Sequence, residues 1–210
     1  MPAERIHLVR HGEVHNPAGV LYGRLDGFPL SERGRRMADA SARWLASNAS
    51  VSRVVSSPLI RARESAQPIA EAFGTDVTIR DGLIEASSKL EGGRFQMNLG
   101  ILAKPAAWRY LVNPLRPSWG EPFVDVARRM MSELEVARES VDGGDVVLVS
   151  HQLPIWMVHR RLRGKPLFHD PRARRCALSS ITTVGWDDGF VELGYVEPAA
   201  LSGSMDSGAV

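Results

Sequence analysis

Ile6-His7-Leu8-Val9-Arg10-His11-Gly12 decides the reading of this chain, because Val146-Val147-Leu148-Val149-Ser150-His151 repeats its design. Each is a short apolar run that ends in a histidine. Such a run, bounded by polar residues or glycine, reads as a strand buried on both faces of a parallel sheet. Ligands of open α/β sheets bind at the C-terminal ends of their strands. Two histidines carried to one sheet edge can therefore meet in one pocket. Gly12 is read as letting backbone approach the bound group closely.

Working outward, residues 12–30 are rich in glycine and proline and form a loop. Ser31 caps a helix running to about Ser47, with Met37, Ala38, Ser41, Trp44 and Leu45 on one face. Val51 to Ser56 is a second strand. Ser57-Pro58 then reads as an N-cap and first helical residue, opening a helix that stops at Gly74. Val77 to Arg80 is a third strand. Glu121 to Val141 carries a clean helical stripe, and Leu153 to Leu162 a further helix. Ala177 to Val184 and Phe190 to Val196 form a hairpin around Asp187-Asp188-Gly189.

This alternation argues for a three-layer α/β/α sandwich with a mostly parallel central sheet and an antiparallel edge. Residues 1–196 are expected to be a single domain. Residues 82–120, with Lys104, Pro105, Trp108, Pro114, Arg116, Pro117 and Trp119, read as a short helical lid insertion. Residues 197–210 read as a flexible tail.

The chain has 210 residues, 44% hydrophobic and 24% charged, so disorder, collagen and coiled coil are excluded as overall classes. It can bury roughly 70% of its unfolded surface without a metal or disulfide staple. Cys176 is the single cysteine, which excludes an intrachain disulfide and a cysteine-based zinc site. No apolar run reaches the roughly 18 residues of a membrane span. The start lacks an apolar signal region, so a cytoplasmic location and no membrane partner are expected. Net charge is only +2, yet 23 of the 26 basic residues are arginine, with lysine only at 89, 104 and 165. Guanidinium forks suit small anions. The basic run 159–165 and 172–175 lacks interleaved aromatics, so no nucleic-acid partner is expected.

A third segment, Ser56-Ser57-Pro58-Leu59-Ile60-Arg61-Ala62, also follows a strand and opens a helix. Free N–H groups and a positive dipole end suit an anion there, and Arg61 can reach over the same edge. Arg10-His11-Gly12-Glu13 with Asn16, the Ser57-Pro58-Leu59-x-Arg61-Ala62 block, Leu83-x-Glu85 and Ser150-His151 stand in order along residues 6–196. In that combination the chain resembles the histidine phosphatase superfamily, with its phosphoglycerate-mutase-like fold.

The resemblance implies that His11 is a nucleophile that becomes phosphorylated. Arg10, Arg61 and His151 would hold the transferring phosphoryl group, Asn16 would add a phosphate or substrate hydrogen bond, and Glu85 would be the proton donor. No metal or other cofactor is implied. Glu91 competes with Glu85; spacing to the Leu-x-Glu element favours Glu85. Ala86-Ser87-Ser88-Lys89 departs from the glycine the family often carries there. Phosphoryl transfer is mostly positioning and charge stabilisation, so guanidiniums and an imidazole suit it. Nearby arginines would keep His11 neutral, and partial burial would keep Glu85 protonated.

Arg24, in the loop after His11, and Arg116, Trp108, Trp119 and Lys104 in the insertion are candidate substrate contacts, against ion pairing or plain packing. His15 stands four residues from His11, but Gly12, Asn16 and Pro17 make a helical metal pair there unexpected. His7 reads as a packed histidine; His159 and His169 as surface residues or helix partners; Trp156 as packing its helix.

The leading expectation is a metal-independent phosphatase acting on a small phosphomonoester through phosphohistidine. A cofactor-dependent mutase of the phosphoglycerate mutase type is the alternative. Such mutases are usually longer and carry an Arg-Arg stretch and consecutive prolines in the insertion, which residues 92–120 lack. A non-catalytic protein that binds a phosphorylated ligand is the third reading. Either a monomer or a homodimer fits the sequence.

Overall fold

Asp145–Ser150 forms the central strand β4, and every one of its residues is buried. Its side chains alternate between two cores, as a strand covered on both faces requires. Val146 and Leu148 pack with Ile6, Leu8, Met130, Leu134 and Ile155. Val147 and Val149 pack with Val9, Leu45, Val54, Ala66 and Ile69. The structure is a computed structural model and describes residues 1–88, 91–92 and 120–201.

Around β4 lie β1 (Arg5–Arg10), β2 (Val51–Ser56) and β3 (Val77–Ile79), then β5 (Ile181–Trp186) and β6 (Phe190–Val196). The order across the sheet is β3-β2-β4-β1-β5-β6. β1 and β2 flank β4 in parallel, whereas β5 runs antiparallel to β1. Helices α1 (Glu32–Asn48) and α2 (Ile60–Phe73) supply one core. Helices α3 (Phe123–Glu139) and α4 (Gln152–Leu162) supply the other. The chain is thus an α/β/α sandwich on a mixed six-stranded sheet. No helix among the described residues is long and apolar enough to cross a membrane.

Local chemistry explains most boundaries. Ser31 caps α1 by accepting the Gly34 N–H at 2.9 Å, a bond of a kind that contributes about 1 kcal/mol. Gly74 ends α2 in the left-handed conformation that glycine adopts without strain. Asp188 and Gly189, both at positive φ, close the β5–β6 hairpin.

Three boundaries differ from expectation. Helix α2 starts at Ile60, not at Ser57-Pro58, and its N-cap Leu59 offers no side-chain bond. Ser57 is held back because its N–H extends the sheet to the Val149 carbonyl at 3.0 Å and its hydroxyl is engaged by His151. Strand β5 starts at Ile181 because 177–180 make a turn, with Ser179 at φ 55 and the Ser180 N–H bonded to the Ala177 carbonyl. The segment read as a tail begins as a short helix α5 (Pro198–Leu201), with Ala199 buried against Met37 and Leu178. Most of the expected lid, including Lys104, Trp108, Arg116 and Trp119, lies outside the described residues.

Candidate active site

Arg10 and Ser150 are register partners across β1 and β4. Their successors, His11 and His151, therefore leave the sheet side by side, and the His11 N–H bonds to the Ser150 carbonyl at 3.1 Å. The two imidazole centroids lie 5.1 Å apart. Both rings are buried, at 2% and 0% exposure. His11 Nδ1–H donates to the Gly12 carbonyl at 2.8 Å, which leaves Nε2 with its lone pair. Burial, then Arg61 and Arg10, hold the His11 pKa well below its usual value. Burial, then His11, Arg61 and Arg10, do the same to His151. His151 Nε2 meets the Ser57 hydroxyl at 2.7 Å, while its Nδ1 is buried without a partner.

Two buried guanidiniums complete the positive wall. Arg10 donates Nη1–H to the Cys176 carbonyl at 2.6 Å and leaves Nε–H unpartnered. Arg61 donates Nη2–H to the Gly23 carbonyl at 2.5 Å and leaves Nε–H and Nη1–H unpartnered. Its guanidinium stacks over the Tyr22 ring, 4.7 Å from the centroid. Helix α2 is fixed to the His11 loop through Ser65, whose hydroxyl accepts the Gly12 N–H at 3.0 Å. Ser65 in turn donates to the Arg61 carbonyl at 2.8 Å. Buried N–H groups are ordinarily satisfied. Several orphaned charged donors around two neutral imidazoles form a cradle for a small oxyanion.

Glu85 sits on a pinned segment. Leu83 is fully buried, and its carbonyl accepts the Ser150 hydroxyl at 2.7 Å. Ala86 packs into a cluster with Val126, Trp156 and Met157. Burial raises the Glu85 carboxyl pKa, against the Ala86 N–H at 2.8 Å and the charges of Arg61, Arg174 and Arg10. Glu91 accepts the Ser88 N–H through Oε1 at 2.9 Å just as Glu85 accepts the Ala86 N–H, so these contacts do not separate the two acids.

Asn16 and Arg24 already have partners within the protein. Asn16 uses both ends of its amide on Val20, at 2.8 and 3.1 Å, and so shapes its own loop. Arg24 is a brace: it donates to the Glu85 carbonyl at 2.6 Å and to Glu121 at 2.8 Å. Glu121 is also clamped by Arg129. Arg116 lies outside the described residues. Gly12 is also required by packing, since a Cβ there would stand 2.4 Å from the Gly34 carbonyl oxygen. This close approach is by α1.

His7 is fully buried and bonds Thr183 at 3.0 Å. His159 and His169 are buried too, at 7% and 8%, rather than on the surface. His159 bonds Glu192 at 2.5 Å and stacks on Trp156. His15 is exposed. Among the described residues no group of three His, Cys, Asp or Glu could hold a metal ion.

Tyr22 and Arg174 belong to the site although the sequence did not single them out for it, and Ser57, quoted only within the Ser57-Pro58 block, joins it through His151. Burial raises the Tyr22 pKa, and the ring feels Arg10, Arg61 and Glu85. The signal for Tyr22 is position alone, beside Gly23. Arg174 stands in a basic run that reads as solvated surface, an oligomer contact or a rim attracting anionic substrate.

A family model described as histidine phosphatase superfamily (branch 1) matches residues 6–196. A Mycobacterium tuberculosis protein, Rv0525, is 49% identical over 203 residues, covering 96% of this chain and all of that one. A Yersinia pestis protein described as probable phosphoglycerate mutase GpmB is 30% identical and covers 84% of each chain. The structure of mycobacterial glucosyl-3-phosphoglycerate phosphatase Rv2419c superposes with a TM-score of 0.71 at 27% identity, over 91% of this chain and 98% of that one.

Proposed function

This chain belongs to branch 1 of the histidine phosphatase superfamily, and we propose that it hydrolyses a small phosphomonoester through a phosphohistidine at His11, without a metal. One observation carries the reading: the buried, unpartnered N–H groups of Arg10 and Arg61 stand beside an imidazole kept neutral. A phosphoryl group satisfies them. Each charge-assisted hydrogen bond so formed is worth roughly 1.5–3 kcal/mol, and the share that grows in the transition state accelerates the reaction.

The steps follow from the atoms. His11 Nε2 forms a bond to phosphorus as the bond to the ester oxygen breaks. The leaving oxygen takes the proton of Glu85. His11 keeps its Nδ1 proton on the Gly12 carbonyl, which steadies the positive ring of the phosphohistidine. Water then gives a proton to the Glu85 carboxylate and attacks phosphorus. Inorganic phosphate departs, and both groups return to their first states. Arg10, Arg61 and His151 hold the phosphoryl oxygens throughout.

The test is release of phosphate from an aryl phosphate with EDTA present, in the wild type and in His11→Ala. Turnover that survives EDTA and disappears in His11→Ala supports the reading. Absence of turnover across a broad phosphomonoester panel would replace it with ligand binding alone. Interconversion of 3-phosphoglycerate and 2-phosphoglycerate, primed by a bisphosphate and without net phosphate release, would replace it with a mutase.

A further inference from the structure

Arg174 reaches the site from the stretch between α4 and β5, just after the short 3-10 turn Pro171–Ala173. Its Nη1–H donates to Gln152 Oε1 at 3.3 Å, and Gln152 directly follows His151. Two residues beyond it, the Cys176 carbonyl accepts from Arg10. Arg174 is thus bracketed by the two strand ends that carry Arg10 and His151. Its Nε–H donates to His169 Nε2 at 2.9 Å. His169 gives its own Nδ1–H to the Leu167 carbonyl at 2.8 Å, so Nε2 has a lone pair to offer. Phe123 and Trp156 pack against the His169 ring and hold it in place.

Both acceptors of Arg174 are neutral. The neighbouring arginines are spent differently: Arg172 chelates Asp170, and Arg163 and Arg175 pair with Glu192. Among the described residues Arg174 forms no ion pair, and its Nη2 makes no hydrogen bond. Its charge is felt at Glu85 and Arg10. A partly buried guanidinium oriented by neutral groups keeps its charge available to a ligand.

Where that charge acts follows from the reaction. Arg10 and Arg61 flank His11 and serve the phosphoryl group. Glu85 serves the leaving oxygen, and His169, which holds Arg174, packs on Phe123 and Trp156 in the cluster that contains Ala86, the residue after Glu85. We propose that Arg174 reads a second oxyanion, a carboxylate or a phosphate, carried on the leaving group of the substrate. This rests on the phosphatase reading and narrows it to phosphomonoesters that bear a further negative charge.

The experiment compares three probes on the full chain: 3-phosphoglycerate, glycerol 3-phosphate and 1,3-propanediol bisphosphate. The first two differ by a carboxylate against a neutral alcohol, and the third carries a second phosphate. kcat/KM is measured for each in the wild type and in Arg174→Gln, with binding to His11→Ala and to His11→Ala/Arg174→Gln followed by calorimetry. The wild type is expected to prefer at least one charged probe over glycerol 3-phosphate by about ten- to a hundredfold, the worth of one charge-assisted bond. That preference should collapse in Arg174→Gln, and which charged probe is preferred tells carboxylate from phosphate. No preference in the wild type, or an equal loss on all three probes, would overturn the proposal; the equal loss would leave Arg174 a neighbour that tunes Glu85. Should no probe be hydrolysed, the phosphatase reading fails separately, and the calorimetric preference still decides the role of Arg174.

Discussion

The imidazoles of His11 and His151 stand 5.1 Å apart because the residues before them, Arg10 and Ser150, are partners in one parallel ladder. Residues 140 apart in sequence are thereby fixed by hydrogen bonds of the sheet rather than by a loop. Sites built on strand ends are held more rigidly than sites built on loops.

Arg61 is 1% exposed and has two unpartnered N–H groups. A buried cation without a carboxylate opposes folding until an anion arrives. Arg61→Met should raise the melting temperature of the ligand-free protein while lowering kcat/KM by about ten- to a hundredfold. Inorganic phosphate should stabilise the wild type in a thermal melt and lose most of that effect in the variant. Equal stabilisation of both would remove Arg61 from the phosphoryl site.

Glu85→Gln cannot donate a proton to the leaving group or take one from water. An aryl phosphate, whose leaving oxygen needs little help, should still phosphorylate His11. The variant should then show a burst of phenol release followed by slow turnover, whereas an alkyl phosphate should show almost no reaction. Equal losses on both substrates, without a burst, would argue that Glu85 is not the acid.

Productive enzyme needs neutral His11 together with protonated Glu85. At ordinary values, 6.5 and 4.5, few molecules would hold both states at once. Here burial and the arginines lower the histidine, and burial raises the carboxyl, so the two shifts enlarge that population. Activity should fall on the acid side through a pKa below 6.5, as His11 gains a proton. It should fall on the alkaline side through a pKa above 4.5, as Glu85 loses one. A kcat/KM profile checks both limbs, and Glu85→Gln should remove the alkaline one.

Gly12 and Gly34 are glycine because α1 meets the loop after His11 there. A Cβ at Gly12 would stand 2.4 Å from the Gly34 oxygen, and one at Gly34 would stand 2.0 Å from the Glu13 oxygen. Gly34→Ala must push α1 off the His11 loop. A loss of roughly 1–3 kcal/mol in denaturant melts is expected, with a fall in activity although residue 34 is far from the chemistry in sequence. An unchanged melt would show that the loop yields freely.

Strands β1, β4 and β6 and helix α1 were legible because their apolar patterns are strong and their ends are marked by Ser31, Gly143-Gly144 and Asp188-Gly189. The histidine pair followed from the sheet rule alone. The start of β5 was not legible: Cys176-Ala177-Leu178-Ser179-Ser180 has no glycine or proline, and Ser179 turns the chain by adopting a positive φ itself. Partners set by tertiary packing were equally hidden. Arg24 finds Glu121, His159 finds Glu192 on β6, and Gly12 finds Gly34, none of them neighbours in sequence. Arg174 hides for the same reason, since only the fold separates it from Arg172 and Arg175, which end in ion pairs.

The proposed reaction turns on a covalent bond between His11 Nε2 and phosphorus. Its most direct test is to mix the protein with a phosphate-labelled ester, quench in alkali within the first turnovers and map the label. An acid-labile, alkali-stable phosphate on His11 is expected, most abundant in Glu85→Gln and absent from His11→Ala. Turnover at full rate with no label on His11, or with the label on another residue, would contradict it.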